Sequence, residues 1–350
     1  MMVTLFFGFF CILILSYVVY QRHKRICKDF PPGPMSLPLI GSLPFLDLKR
    51  GLLSATLTSD LYKYDPNLCT IWLAQQPVII IQNFELAKNL FSRDEFSGRS
   101  NNYHHKYVRG INGEALGLIS TTGRFWQDQR RFTVKNLKNL GFGRQKLDTV
   151  IQDEAQYLID ALITTCKHGD TLIDGLFNFP IINILWQIVA SKRFDQGLPE
   201  CKSMMSKVNV AFQQGPSLCQ FLIQSPFLRS LLPTFKQEKA EKDLKKLFRQ
   251  QVIEHEQALN LGEGDESMDF INMYLSKIRQ KDDYMNEDYS GDGKYSNFNT
   301  EQLATICLDL FQAGSETSST TLAWAVMFLA LNADVQEKCR NEIDVILGSK

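Results

Sequence analysis

The chain has 350 residues, 44% of them hydrophobic and 22% charged, a composition that excludes a disordered chain and suffices for one large core or two smaller ones. Its 38 basic and 38 acidic residues give a formal net charge of +0, so bulk electrostatics argue neither for nucleic acid nor for a generally acidic partner. The eight cysteines are scattered, without a C-x-x-C pair or a zinc-ligand spacing with histidine, and read as reduced, mostly buried thiols of a cytosol-facing domain.

From Met2 to Tyr20 the sequence carries no charge and then meets "QRHKR". About 20 such residues span a bilayer. A cleaved signal peptide would show a basic leading end, a shorter apolar core and a small-residue cleavage site, and none of these is present. The stretch therefore reads as a membrane anchor over residues 1–20. Arg22, Lys24 and Arg25 behind it place the rest of the chain on the cytosolic side. Residues 21–44 hold Pro31, Pro32, Pro34 and Pro38 and are expected to form a stiff extended connector.

Two strand-like runs, 68–73 and 76–82, read as a hairpin. Nearly everything beyond Asn83 is helical in pattern, with helices expected over 84–93, 122–138, 145–166, 177–192, 201–213, 235–260, 267–280, 299–331 and 334–347. The acidic, glycine-containing stretch 281–298 is expected to be a surface loop. In "GRFWQDQRRF" (123–132), Trp126 and Arg130 are four apart on one helical face. An indole N–H beside a guanidinium suits a buried carboxylate or phosphate; an ordinary amphipathic helix with its Trp in the core is the competing reading. Arg131, Lys135 and Lys138 come next with no acid between Asp128 and Asp148, a patch for an acidic partner or simply a solvated face.

The helix at 299–331 opens with Asn299 three residues before Gln302, a capping-box arrangement. At ~1.5 Å per residue it is about 50 Å long, and its apolar periphery predicts burial on several sides. At its centre stands "AGSETSSTT", where Gly costs about 1 kcal/mol relative to Ala and the hydroxyls compete for backbone groups. Ala313 and Thr317 share a face, with Gly314 beside them, which predicts a shallow notch inside the protein. Thr317 can return its hydroxyl to the Ala313 carbonyl, and an internal Glu316 would need water or a cation. Proton delivery to a small bound molecule is one use of such a notch. A kinked helix with a solvent-facing Glu is the other reading.

Six features occur in order: the apolar anchor, "PPGP" with "PLIGSL", "FSGR" at 96–99, W-x-x-x-R at 126–130, "DFINMYL" at 269–275 and A-G-x-E-T at 313–317. Together they resemble the haem-thiolate monooxygenases, the cytochrome P-450 superfamily, and within it the microsomal animal family-2-like branch. The resemblance implies a mainly α fold with a small N-terminal β-sheet, residues 45–350 forming part of the catalytic domain. It implies haem as cofactor, NADPH electrons delivered by a flavoprotein reductase, O2 as co-substrate, an endoplasmic reticulum membrane location and no role for nucleic acid. By motif, Thr317 would hold the proton-delivering water and Glu316 would feed it, with Ala313 and Gly314 forming the oxygen-binding notch. Trp126, Arg130 and Arg99 would hold the haem propionates, and Arg131, Lys135 and Lys138 would face the reductase. Leu310, Phe311, Gln312, Ala313, Phe212 and Phe221 would line the pocket of a lipophilic substrate.

Departures accompany the matches. Gln312 stands where relatives carry a small residue, which predicts a narrower or more polar pocket. Ser318 replaces a common Thr, and "LNADVQEK" (331–338) lacks a frequent His-Pro. The family's F-x-x-G-x-R-x-C-x-G haem loop and its E-x-x-R helix are absent up to Lys350. The axial cysteine is therefore expected beyond Lys350, residues 1–350 alone are expected to be inactive, and a non-catalytic membrane-anchored scaffold is the alternative. The general look is closer to arthropod members, which points to a sesquiterpenoid or steroid substrate for hydroxylation or epoxidation.

Overall fold

A computed structural model of the chain describes residues 17, 19–21, 24, 26, 28–38, 40–46, 61–73, 76–99, 104–141, 145–167, 169, 173, 175–194, 199–212, 235–262, 269–283 and 297–348. The chain divides into two compact units, residues 1–98 with 214–233 and residues 99–213 with 234–350. Most of the expected anchor lies outside the described residues. Among the described residues no helix is long and apolar enough to cross a membrane.

In the first unit, β1 (Leu68–Leu73) and β2 (Gln76–Ile81) pair antiparallel, with Leu68 opposite Ile81 and Leu73 opposite Gln76. Cys69 and Ile71, alternate residues of β1, are fully buried and pack with Leu61, Val78 and Ile80. Thr70 and Trp72 are buried too, so both faces of β1 are covered. The proline-rich stretch provides part of that cover. Pro32 O accepts from the Thr70 amide at 3.0 Å, the Phe30 ring meets Trp72 edge-on at 5.2 Å, and a Cβ on Gly33 would stand 1.8 Å from the Thr70 carbonyl oxygen. Ser42 closes the arrangement, its hydroxyl accepting from the Trp72 amide at 3.1 Å and its amide donating to the Trp72 carbonyl at 2.7 Å. Proline suits the margin of a sheet because it has no N–H to leave unpaired. The expected connector is thus built into this unit over residues 30–42. The helix α1 (Phe84–Phe91) comes after the hairpin, its amino end capped by the Asn83 side chain, which accepts from the Leu86 amide at 3.0 Å.

The second unit is helical: α2 (Gly123–Asn139), α3 (Gln145–Cys166), α4 (Asn178–Ala190), α5 (Pro199–Phe212), α6 (Lys236–Asn260), α7 (Phe270–Asp283), α8 (Thr300–Leu331) and α9 (Ala333–Leu347). A π-helical turn, His104–Arg109, precedes them and had no periodicity to announce it. α8 packs on α4 and α6, and α6 packs on α5. Trp186, Phe248 and Phe311 meet at their centre, with ring centroids 5.3 to 5.7 Å apart. Each such burial contributes about 2 to 3 kcal/mol of transfer free energy. The motif "DFINMYL" is a core segment: Phe270, Ile271, Tyr274 and Leu275 are buried, and the Tyr274 hydroxyl donates to Gln129 Oε1 at 2.7 Å.

Three expectations need correction. α8 is buried over Gln302–Phe311 apart from Leu310, but from Ala313 onward one side faces solvent, and Trp324, Phe328 and Leu331 are exposed. The expected burial on several sides therefore does not hold for the second half. Among the described cysteines, Cys69 and Cys307 are buried whereas Cys166 and Cys339 are exposed, because α3 and α9 place them on solvent faces. The expected surface loop begins later, since α7 runs to Asp283.

At the start of α7, Asp269 accepts from the Asn272 amide at 2.8 Å and meets His255 Nε2 at 3.2 Å, while His255 Nδ1 meets the Gln251 carbonyl at 2.7 Å. Burial pulls the imidazole down, but the hydrogen bond and charge of Asp269, with the Gln251 carbonyl, outweigh it and hold His255 above its ordinary value. A raised value means that this contribution is complete below the unfolded-state value of about 6.5 and fades as pH rises through the folded-state value. We therefore expect His255→Gln to cost about 1 to 2 kcal/mol near pH 6 and less above pH 8, read from denaturant midpoints. An equal cost at both pH values would show that the ion pair contributes nothing.

Candidate functional site

α2 carries the first group of functional side chains. Its buried face, Gln129 and Thr133, turns Arg131, Lys135 and Lys138 outward as an exposed basic stripe. Trp126 and Arg130 lie a turn apart, the Arg130 guanidinium 5.3 Å from the indole centroid. Arg99 reaches the same ring at 4.1 Å. Burial, and after it the like charge of Arg130, hold Arg99 below its ordinary value. The Trp126 indole nitrogen is shielded from solvent and has no hydrogen-bond partner among the described residues. A buried N–H left unmatched costs about 1 to 3 kcal/mol. Two guanidinium groups and one unmatched donor at one indole make an anion cradle. The three residues singled out in the sequence are therefore brought together.

The second group lies on α8. The Thr317 hydroxyl donates to the Ala313 carbonyl at 2.6 Å, the back-bond expected from the four-residue spacing. Both residues are exposed, so the notch opens outward instead of lying inside the protein. Glu316 is half-buried, with the Thr320 hydroxyl 3.5 Å from its Oε1. Gly314 does not share the notch face. It points at α4, where an added Cβ would stand 2.9 Å from Leu185 Cδ2. The glycine thus serves the close approach of two helices, with the small buried Ser315 and Ser319 beside it. This corrects its assignment to an oxygen-binding notch.

The expected pocket residues separate. Leu310 is half-buried, and Phe311 belongs to the core with Trp186 and Phe248, which removes it from an open wall. Gln312 is buried and turned away from the notch, its Oε1 accepting from Arg109 Nη1 at 3.0 Å. Phe212 ends α5 with its side chain outside the described residues, and Phe221 lies outside them entirely.

Sequence reasoning missed a buried cluster of charges around Arg109. Its guanidinium pairs with Asp309 and, at 2.7 Å, with Glu241, and its carbonyl accepts from Lys245 Nζ at 2.6 Å. Burial pushes the Asp309 carboxyl up, Arg109 and the Ile119 and Leu118 amides draw it back, and it stays above its ordinary value. Burial likewise pulls the Lys245 ammonium down. The available signal was Asp309 alone in the apolar run "ICLDLF", since a buried charge requires partners.

The cytochrome P450 family profile matches residues 31–350, and the chain belongs to that family. It is 28% identical over 344 residues to farnesoate epoxidase of Bombyx mori, covering 97% of this chain and 66% of that protein. It is 32% identical over 349 residues to cytochrome P450 2J3 of Rattus norvegicus (96% and 65%) and 31% identical over 348 residues to cytochrome P450 2C25 of Mesocricetus auratus (96% and 66%). The chain spans about two thirds of the length of these relatives.

The helix contact at Gly314 is directly testable. Gly314→Ala gains about 1 kcal/mol of helix propensity and displaces only a flexible Leu185 tip, so stability is expected to stay within about 1 kcal/mol of wild type. Gly314→Leu overfills the contact and should cost about 2 to 3 kcal/mol in thermal denaturation. Equal tolerance of both would show that the approach of α8 to α4 does not need the glycine.

Proposed function

We propose that this chain is part of a membrane-anchored haem monooxygenase that inserts one oxygen atom from O2 into a lipophilic substrate by hydroxylation or epoxidation. The observation that supports it most is the Trp126 cradle, an unmatched buried N–H beside the guanidinium groups of Arg130 and Arg99. The residues present fit the group that the family implies, because a haem carries two propionates in need of such donors. Trp126, Arg130 and Arg99 would hold them. When bound, the haem would provide the oxygen-activating chemistry, with NADPH electrons from a flavoprotein reductase.

The chain's own residues supply the protons. The Thr317 hydroxyl gives its hydrogen to the Ala313 carbonyl, which leaves its oxygen lone pairs to accept from a water and hold it at the exposed face. Glu316, the half-buried residue just before Thr317 and within reach of solvent, relays protons toward that water through its carboxylate. Arg131, Lys135 and Lys138 offer the reductase an exposed basic stripe. Residues 2–20 anchor the protein in the endoplasmic reticulum membrane with Arg22, Lys24 and Arg25 on the cytosolic side. A sesquiterpenoid fits the likeness to a farnesoate epoxidase.

Thr317→Ala tests the proton assignment in the haem-loaded protein. Coupling of NADPH oxidation to product is expected to fall about tenfold or more, with a matching rise in peroxide release. Unchanged coupling would remove Thr317 from the mechanism.

A further inference from the structure

The monooxygenase reading leaves unused a cavity of about 260 Å3 in the first unit. It lies where the proline-rich stretch meets β1 and is lined by Tyr20, Lys24, Phe30, residues 31–36, Thr70 and Trp72. Drug-sized ligands occupy pockets of about 300 to 1,000 Å3, so this one suits a smaller group. Thr70 and Trp72 belong to the β1 face away from Cys69 and Ile71. Thr70 is 2% exposed, and its Oγ1 is shielded and meets no hydrogen-bond partner among the described residues. Its amide already donates to the Pro32 carbonyl at 3.0 Å, so the unmatched group is the hydroxyl. A buried hydroxyl beside a cavity with nothing to bond marks a place that a bound group completes.

Charge narrows what that group is. Among the lining residues Lys24 is the single cation, and none is an aspartate or a glutamate. An anion is therefore favoured, whereas a ligand carrying a positive charge as well would bring it to a place without an acid. Tyr20 and Lys24, four apart on a helical turn, are exposed, and Tyr20 closes the uncharged run that Arg22 and Arg25 follow. The cavity thus begins where the expected anchor ends, at the depth where tyrosine and basic residues meet lipid headgroups.

We propose that this cavity binds the headgroup of an anionic phospholipid, with the phosphate on the Lys24 ammonium and the Thr70 hydroxyl and the glycerol against Tyr20, Phe30 and Trp72. Binding there ties the proline-rich segment and β1 to the membrane surface in a way that depends on lipid composition. That the ligand is a lipid rests on the membrane-anchor reading; the cavity, its cation and its unmatched hydroxyl do not.

Hydrogen exchange of the full chain in nanodiscs tests it. Replacing part of the phosphatidylcholine by phosphatidylglycerol is expected to slow exchange saturably, by about fivefold or more, in peptides covering 33–36 and 68–73. Inorganic phosphate added to phosphatidylcholine discs is expected to leave exchange unchanged. Lys24→Gln and Thr70→Val should each raise the phosphatidylglycerol fraction needed for half the effect by about fivefold, and Thr70→Ser, which keeps the hydroxyl, should not. Should Thr70→Val not fold, Thr70→Ala takes its place under the same criterion. General attraction of a basic segment to a charged surface would respond to Lys24→Gln and not to Thr70→Val, and that outcome overturns the site. Equal slowing in phosphatidylcholine alone or by inorganic phosphate alone overturns it too. Anchoring is read separately, by flotation with phosphatidylcholine vesicles, which is expected of wild type and variants alike. Failure to float overturns the anchor and with it the lipid; unaltered exchange in protein that floats overturns the site alone.

Discussion

A charged side chain taken out of water must find its opposite inside, and in this protein Arg109 finds it on the central helix. Asp309 and Glu241 neutralise it, Gln312 fills a remaining donor site, and Lys245 ties down its carbonyl. Breaking such a pair by removing one partner typically costs about 3 to 5 kcal/mol, because the other charge is left buried. Three parts of the unit, the π-helical turn, α6 and α8, are thereby committed to one arrangement.

α8 can accept that commitment because its two halves have different tasks. Up to Gln312 it is a core element, packed against Trp186 and Phe248 through Phe311. Beyond Gln312 it is two-sided. Gly314, Ser315 and Ser319 keep one side thin enough for α4, while Ala313 and Thr317 face outward. The hydroxyls do not leave the backbone unsupported, since Thr317, Ser319 and Thr321 each bond to the carbonyl one turn earlier. Residues that look costly for a helix are the ones that let it meet a neighbour on one side and stay open on the other at the same turn.

Much of this was legible in the residue pattern. Helix periods and the two strand-like runs at 68–73 and 76–82 located the elements to within a few residues, because those signals are local. The Trp126–Arg130 pair and the Thr317–Ala313 back-bond were legible for the same reason, each being a four-residue spacing on one helix. What escaped was long-range. Arg109 and Asp309 are 200 residues apart, and nothing near either one names the other. Gly314 was misassigned because its neighbour across the helix contact, Leu185, is equally remote in sequence. Exposure of the second half of α8 escaped too, since an apolar sequence reports what a surface could bury and not what lies against it.

The most direct test of the central claim is the haem content of the protein, measured by absorbance after gel filtration, for wild type, Trp126→Phe and Arg130→Leu. Phe keeps an aromatic ring at the site but removes the indole N–H together with the five-membered ring. The cradle assignment predicts that wild type retains haem and that each variant loses it faster, by about tenfold or more for one lost charge-assisted hydrogen bond. Variants that hold haem as firmly as wild type would contradict the cradle, and with it the reading of the site.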